Sequence, residues 1–370
     1  MHRQEMPSLR LGHVEARRPI IQGGMGVGIS LSGLATAVAQ AGGVGVISAA
    51  GIGMLDPDYA ADFHRANRWA LRDEIRRVRR ATDGVLGVNI MIALTDSGSL
   101  TATAIDEAVD VIFLGAGLPL RLPAELSLST LDTSQTALVP IISSGRAAHL
   151  ILRHWDRHFD RAPDGFVVEG PLAGGHLGFK REQLASADSS LERLLEDVLA
   201  VVGPYEAKCD RPIPVIAAGG VYDGHDVRSM LDLGASGVQM ATRFVATEEC
   251  DAAPSFKEAY IRCTRDDLVV IDSPLGLPGR AIHNAFLEAV ADGARRPIGC
   301  PWQCLRTCDP LRSPYCIAAA LMSAKQGNLD EGFAFAGANA HRIDRIISVA
   351  DLMNELAVDY ARARVPNEVR

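Results

Sequence analysis

Eight short β-branched apolar runs, helix-length stretches between them, and glycine clusters placed directly after apolar runs predict an α/β chain folded as a (β/α)8 TIM barrel with a helical C-terminal extension. The first strand is expected at Pro19–Gln22, followed by a helix over Leu31–Ala41. A second strand at Val44–Ser48 leads into a helix over Arg65–Thr82, and a third at Leu86–Met91 into one over Ala102–Ala108. The fourth and fifth strands, Val111–Leu114 and Leu138–Ser143, flank a loop-like stretch, Leu118–Leu131, that carries Pro119 and Pro123. A helix over Ala147–His158 then leads to the sixth strand, Gly165–Glu169. Between the sixth and seventh strands, Leu191, Leu194, Leu195, Val198, Leu199 and Val202 repeat at the spacing of an amphipathic helix over Leu191–Ala207. The seventh strand, Pro214–Ala218, a helix over His225–Leu233 and the eighth strand, Gly237–Met240, complete the repeat. Strands separated by crossover-length segments imply parallel pairing, and eight of them close a barrel whose interior side chains can fill. A doubly wound open sheet is the alternative.

The barrel is assigned to residues 1–258 and the extension to residues 259–370. In the extension Ile317–Gln326 and Val349–Arg364 read as helices, with a proline- and cysteine-rich stretch between Pro297 and Cys316. Gly170–Ser190 is long for a βα connection and is a candidate lid.

With 48% hydrophobic and 22% charged residues, the chain can bury a sizeable core. A formal net charge of −8 argues against nucleic acid as the main partner. The basic run Arg72, Arg76, Arg77, Arg79 and Arg80 is interleaved with Asp73 and Glu74 at helical spacing and reads as a solvated helix face. The apolar runs are broken well before membrane-spanning length, and the first residues lack a signal peptide's apolar core. A cytoplasmic protein without structural disulfides is expected, acting on a small molecule. Homo-oligomerisation stays open.

In such a barrel the backbone amides after strands seven and eight can grip a phosphate without basic side chains. Gly219 and Gly220 follow the seventh strand, and Ala241 and Thr242 follow the eighth. Taken singly such corners only permit tight turns, but two at consecutive strands favour phosphate binding. His176 lies just past the sixth strand, on the face where barrel enzymes place their sites, and an imidazole of pKa about 6.5 suits proton transfer. Glu169 is either a ligand-facing acceptor or an orienter of its loop.

Five pieces occur in order: PIIQGGMGVG from Pro19, GVNIM from Gly87, EGPLAGGH from Glu169, IPVIAAGGVYDG from Ile213, and ATRF from Ala241. Together they resemble the FMN-dependent nitronate monooxygenases, formerly called 2-nitropropane dioxygenases, and the related FMN-dependent enoyl-acyl-carrier-protein reductases. The resemblance runs from Pro19 to Glu258. It implies FMN, with its phosphate near Gly219, Gly220, Ala241 and Thr242 and its ring bordered by Gln22, Gly23, Gly24, Met25 and Asn89. Glu169, Gly174, Gly175 and Met240 complete the expected cofactor surface. Many relatives carry glycine where this chain has Ala241, a change that costs little if the position offers only its amide. The matching histidine removes the α-proton of a nitroalkane in the monooxygenases, so His176 is the expected base. The first expectation is oxidation of alkyl nitronates. The second is NAD(P)H-dependent reduction of an enoyl thioester, and the third a non-catalytic FMN-binding barrel.

Cys300, Cys304, Cys308 and Cys316 lie outside that resemblance, in a C-x3-C-x3-C-x7-C pattern. Thiols this dense point to an iron–sulfur cluster or zinc, yet a spacing of four also lines one helix face, where free cysteines pack as small hydrophobes. Pro301, Pro310 and Pro314 interrupt such a helix. Cys209, Cys250 and Cys263 are scattered and read as structural.

Overall fold

The computed structural model describes residues 5–121, 125, 127–296, 300 and 302–363. Pro123, Pro297, Pro301 and Arg364 lie outside these residues. The chain opens with an antiparallel hairpin, β1 (Leu9–Leu11) and β2 (Val14–Ala16). The first barrel strand, β3 (Ile20–Gln22), follows, then β4 (Gly45–Ser48), β5 (Leu86–Met91), β6 (Val111–Gly115), β7 (Ala137–Ile142) and β8 (Phe166–Glu169). A two-residue strand, β9 (Gly175–His176), precedes the last barrel strands, β10 (Val215–Ala218) and β11 (Gly237–Met240).

All eight barrel strands pair in parallel, in the order β3-β11-β10-β8-β7-β6-β5-β4. The ring closes where Gln22 N–H donates to Val44 O at 3.0 Å and Val44 N–H to Ile20 O at 2.9 Å. This settles a barrel over an open sheet. Alternation along the strands divides the core in two, as the period of two requires. Ile21, Val46, Phe113, Val139, Val167 and Ile216 face inward, where Leu9 and Leu11 of the hairpin pack against them. Ile20, Ile47, Val88, Ile112 and Val168 face the surrounding helices.

Those helices are α1 (Ser32–Gln40), α2 (Phe63–Ala81), α3 (Ser97–Asp106), α4 (Leu128–Thr133), α5 (Gly145–Phe159), α6 (Leu191–Cys209) and α7 (Gly224–Asp232). Caps start several of them: the side chains of Asp62, Ser144, Ser190 and Asp223 accept amides of the first turns of α2, α5, α6 and α7. In α6, Leu191, Leu194, Leu195, Val198 and Val202 are buried, the face their spacing marks. The basic run lies on α2, where Arg72 and Arg76 both bind Glu107, Arg79 binds Asp110, and Arg77 binds Asp73 and Glu74. The stretch expected as loop over 118–131 gives way to α4 after the Ser127 cap.

Beyond the barrel come α8 (Thr242–Val245) and α9 (Pro254–Arg262), so residue 258 falls inside a helix. The extension continues with α10 (Ala285–Ala291), α11 (Ile317–Lys325) and α12 (Val349–Arg362). It also holds a hairpin that the sequence reading did not single out, β12 (Leu268–Asp272) with β13 (Pro278–Ile282). Its signal is present: a β-branched run, Leu268–Ile271, then Ser273-Pro274-Leu275-Gly276 as a turn. Strand β13 pairs with β9, Gly279 opposite His176 and Arg280 opposite Gly175. The segment expected as a lid is therefore stitched to the extension. No helix among the described residues is long and apolar enough to cross a membrane.

Candidate active site

A cavity of about 320 Å3 opens at the carboxyl ends of the barrel strands. Its wall takes Gly23, Gly24 and Met25 after β3, and Glu169, Gly174, Gly175 and His176 after β8. Gly219 and Gly220 follow from β10, and Met240, Ala241 and Thr242 from β11. Twelve of the expected cofactor and catalytic positions are thus brought to one surface. Gln22 and Asn89 are not on it. Gln22 is fully buried, its Nε2 donating to Gly23 O and Ser30 Oγ, its Oε1 accepting Val46 N–H at 3.0 Å. It braces the glycine corner from inside the barrel. Asn89 lies beneath Gly24, where a Cβ on the glycine would stand only 2.5 Å from the Asn89 Cβ. Both support the loop after β3 without lining the cavity.

The two corners expected to bind phosphate stand side by side on the cavity wall. Gly219 and Gly220 adopt φ of +89° and +98°, a region costly for other residues. Their amides, and that of Thr242 at the start of α8, donate to no carbonyl among the described residues. Asn339 Nδ2 donates to Gly220 O at 2.6 Å, and Gly337 N–H donates to the Thr242 hydroxyl at 3.0 Å, so the extension holds both corners in place. Amides left free at two adjacent corners, beside an apolar cavity bounded by Met25, Met91 and Leu172, fit a flat aromatic ring carrying one phosphate. FMN has that form.

His176 sits on β9 with its Nε2 2.7 Å from Ser273 Oγ, and its ring meets Phe335 edge-on at 5.1 Å. Ser273 Oγ also accepts Leu275 N–H at 3.1 Å, which fixes the hydroxyl within the β12–β13 turn. Burial pushes the imidazole down to about 4, so it is neutral at physiological pH. Beneath the histidine loop, Arg280 Nη1 donates to Pro171 O and Ala173 O, each at 2.7 Å. Glu169 lines the cavity, and burial pushes its carboxyl up to about 7. Ser273, Phe335, Arg280 and Asn339 escaped the sequence reading, because each acts through a partner about 100 residues or more away.

The four clustered cysteines are free and line one small cavity. Cys304 also borders the main cavity. Burial pushes its thiol up to about 12, and the neighbouring Cys316, Cys300 and Cys308 add to the shift. Among the described residues no three His, Cys, Asp or Glu side chains are placed to hold a single metal ion.

Comparison with known proteins agrees with this geometry. A probable nitronate monooxygenase of Bacillus subtilis is 25% identical over 368 residues, 92% of this chain and 95% of that one. The (3aS,4S,5R,7aS)-5-hydroxy-7a-methyl-1-oxo-octahydro-1H-indene-4-carboxyl-CoA dehydrogenase of Mycobacterium tuberculosis is 29% identical over 277 residues. That match takes in 75% of this chain and only 66% of the dehydrogenase's length. Among solved structures, FabK from Thermotoga maritima superposes with a TM-score of 0.72 at 29% identity, covering 96% of this chain and 94% of that one. The family model of nitronate monooxygenase matches residues 9–359, nearly the whole chain, which therefore belongs to the nitronate monooxygenase family of FMN-dependent oxidoreductases.

Proposed function

We propose that this protein binds FMN at the carboxyl-end cavity and oxidises alkyl nitronates and their parent nitroalkanes, with His176 as the base. The observation that carries the reading is a neutral, half-buried imidazole on the same wall as the glycine corners, 2.7 Å from a fixed hydroxyl. FMN, when bound, supplies the exchange of electrons with the substrate carbon. The amides of Gly219, Gly220 and Thr242 would hold its phosphate, and Gly23, Gly24 and Met25 would border its ring.

The protein's own residues handle the proton. In the tautomer whose Nε2–H donates to Ser273 Oγ, Nδ1 of His176 carries the free lone pair and takes the α-proton of a neutral nitroalkane. Phe335 and the apolar wall keep water from the carbanionic substrate, and Glu169 is a second group that can carry a proton near neutral pH.

Reduction of an enoyl thioester is the second reading, with NAD(P)H as electron donor. What favours it is the apolar wall added by Leu305, Ile317, Leu321 and Phe335 of the extension, more than a small nitronate needs. The test is an anaerobic spectrum of the purified protein followed by additions of propyl-2-nitronate, NADH, NADPH and an enoyl thioester. Flavin reduced or turned over by the nitronate and indifferent to nicotinamide supports the first reading. Rapid bleaching by NADH or NADPH with thioester turnover replaces it with the second.

A further inference from the structure

We propose that Cys300, Cys304, Cys308 and Cys316 hold a four-iron, four-sulfide cluster at the barrel mouth, beside the flavin cavity. A spacing of four would be ordinary helix packing if the segment were helical. It is not: no residue described between Cys300 and Cys316 lies in a helix, and α11 begins only at Ile317, with Cys316 as its cap. The thiols therefore do not share a helix face. The four thiols line one small cavity, whose wall is otherwise mostly apolar, with Leu305, Pro310, Tyr315, Ile317 and Ala318, and includes the polar Gln303 and Ser313.

The loop is fixed to the active face. Thr95 N–H donates to Cys304 O at 3.1 Å and Arg306 N–H to Ala93 O at 2.9 Å, joining it to the connection that follows β5. Trp302 packs on Tyr59 at 5.2 Å, joining it to the connection that follows β4. Cys304, Leu305, Ile317 and Ala318 line both cavities, so one layer of side chains separates them.

The chemistry of the donor set selects the occupant. A single zinc ion, about 2.3 Å from each sulfur, needs thiolates drawn tightly around one point. No such arrangement exists among the described residues. A cubane cluster places each thiolate on a separate iron and so spreads them around a wider core. Four free thiols about one mostly apolar cavity match that requirement.

Iron and acid-labile sulfide are counted in the full-length protein purified without oxygen, then reconstituted anaerobically with ferrous ion and sulfide. About four of each per chain are expected, with visible absorption that bleaches under dithionite. Cys308→Ala and Cys316→Ala, neither of which borders the flavin cavity, should lose most of the iron while keeping FMN, and Cys263→Ala should keep both. Absence of iron after reconstitution, zinc in its place, or full iron in both cluster variants overturns the proposal. If a variant loses FMN as well, the wild-type counts decide alone. Iron is counted whether or not FMN or nitronate turnover is found, so failure of the flavin reading is registered separately.

Discussion

Strand β4 of the barrel is buried at all four positions, whereas β12 of the extension is only half-buried along its length and ends on exposed Asp272. The two regions meet at one cavity, but they supply different things to it. Strands β3, β10 and β11 are followed by glycines and small residues, so what they supply to the cavity wall is largely backbone: Gly23, Gly24, Gly219, Gly220 and the turn at Ala241. The extension contributes side chains that fix or complete the site, Ser273 on His176, Asn339 on Gly220, Phe335 against the imidazole, and Arg280 under the histidine loop. The barrel thus supplies most of the cavity's backbone corners, and the extension supplies side chains that brace them and contact His176. This division fits a fold that hosts many chemistries through what is added at its carboxyl face.

Breaking the barrel's share should have the largest effect. Gly220→Leu places a side chain at φ +98°, with its Cβ 3.1 Å from Leu172, at the edge of the phosphate corner. The purified variant is expected to contain no flavin, and normal flavin content would show that the phosphate lies elsewhere.

Next comes His176→Asn, which should retain flavin but lower turnover of a neutral nitroalkane by about 100-fold or more. A preformed nitronate needs no proton removed and should lose far less. Equal losses on the two substrates would make the residue a positioning group. The acid limb follows from the same burial: below about pH 4 the ring is protonated and cannot accept the α-proton. kcat/KM for the nitroalkane in the wild-type protein should therefore fall as pH drops through that value and hold steady above it.

Two changes in the extension are smaller and sharpen the contrast. Arg280→Met leaves the carbonyls of Pro171 and Ala173 without their charged donor and should cost about 2–3 kcal/mol, read as a fall in Tm of several degrees. An unchanged Tm would mean that water replaces the guanidinium and the loop needs no brace. Ser273→Ala removes one hydrogen bond and should lower kcat/KM for the nitroalkane by about fivefold, near 1 kcal/mol. If flavin content falls instead, the hairpin holds the cofactor and not the base.

The eight barrel strands were legible because each is a short apolar run flanked by turn residues, and Leu86–Met91 and Gly237–Met240 begin and end where the sequence places them. That His176 and the glycine corners share one cavity wall was legible because each follows a strand whose carboxyl end opens on that cavity. The hairpin at 268–282 was passed over, although its turn residues mark it, because half-buried strands carry a weak apolar signal. Gln22 looked like a ligand-facing residue for its place beside two glycines, yet its three hydrogen bonds are spent within the barrel wall.

Local pattern, then, determined on its own the barrel, its eight strands, most of its helices and the glycine corners at the carboxyl ends, since burial periodicity and turn chemistry are properties of neighbouring residues. The partner of His176 was decided only in three dimensions. Ser273 stands 97 residues away in the chain and arrives through the pairing of β9 with β13, a ladder of backbone hydrogen bonds to which side-chain identity contributes little. The cysteines make the same point in reverse. Their spacing of four is compatible with a helix, and only the winding of the loop against the connection after β5 brings the four thiols around one cavity. Apolar periodicity shows that a face is covered, but the segment that covers it is chosen by long-range packing.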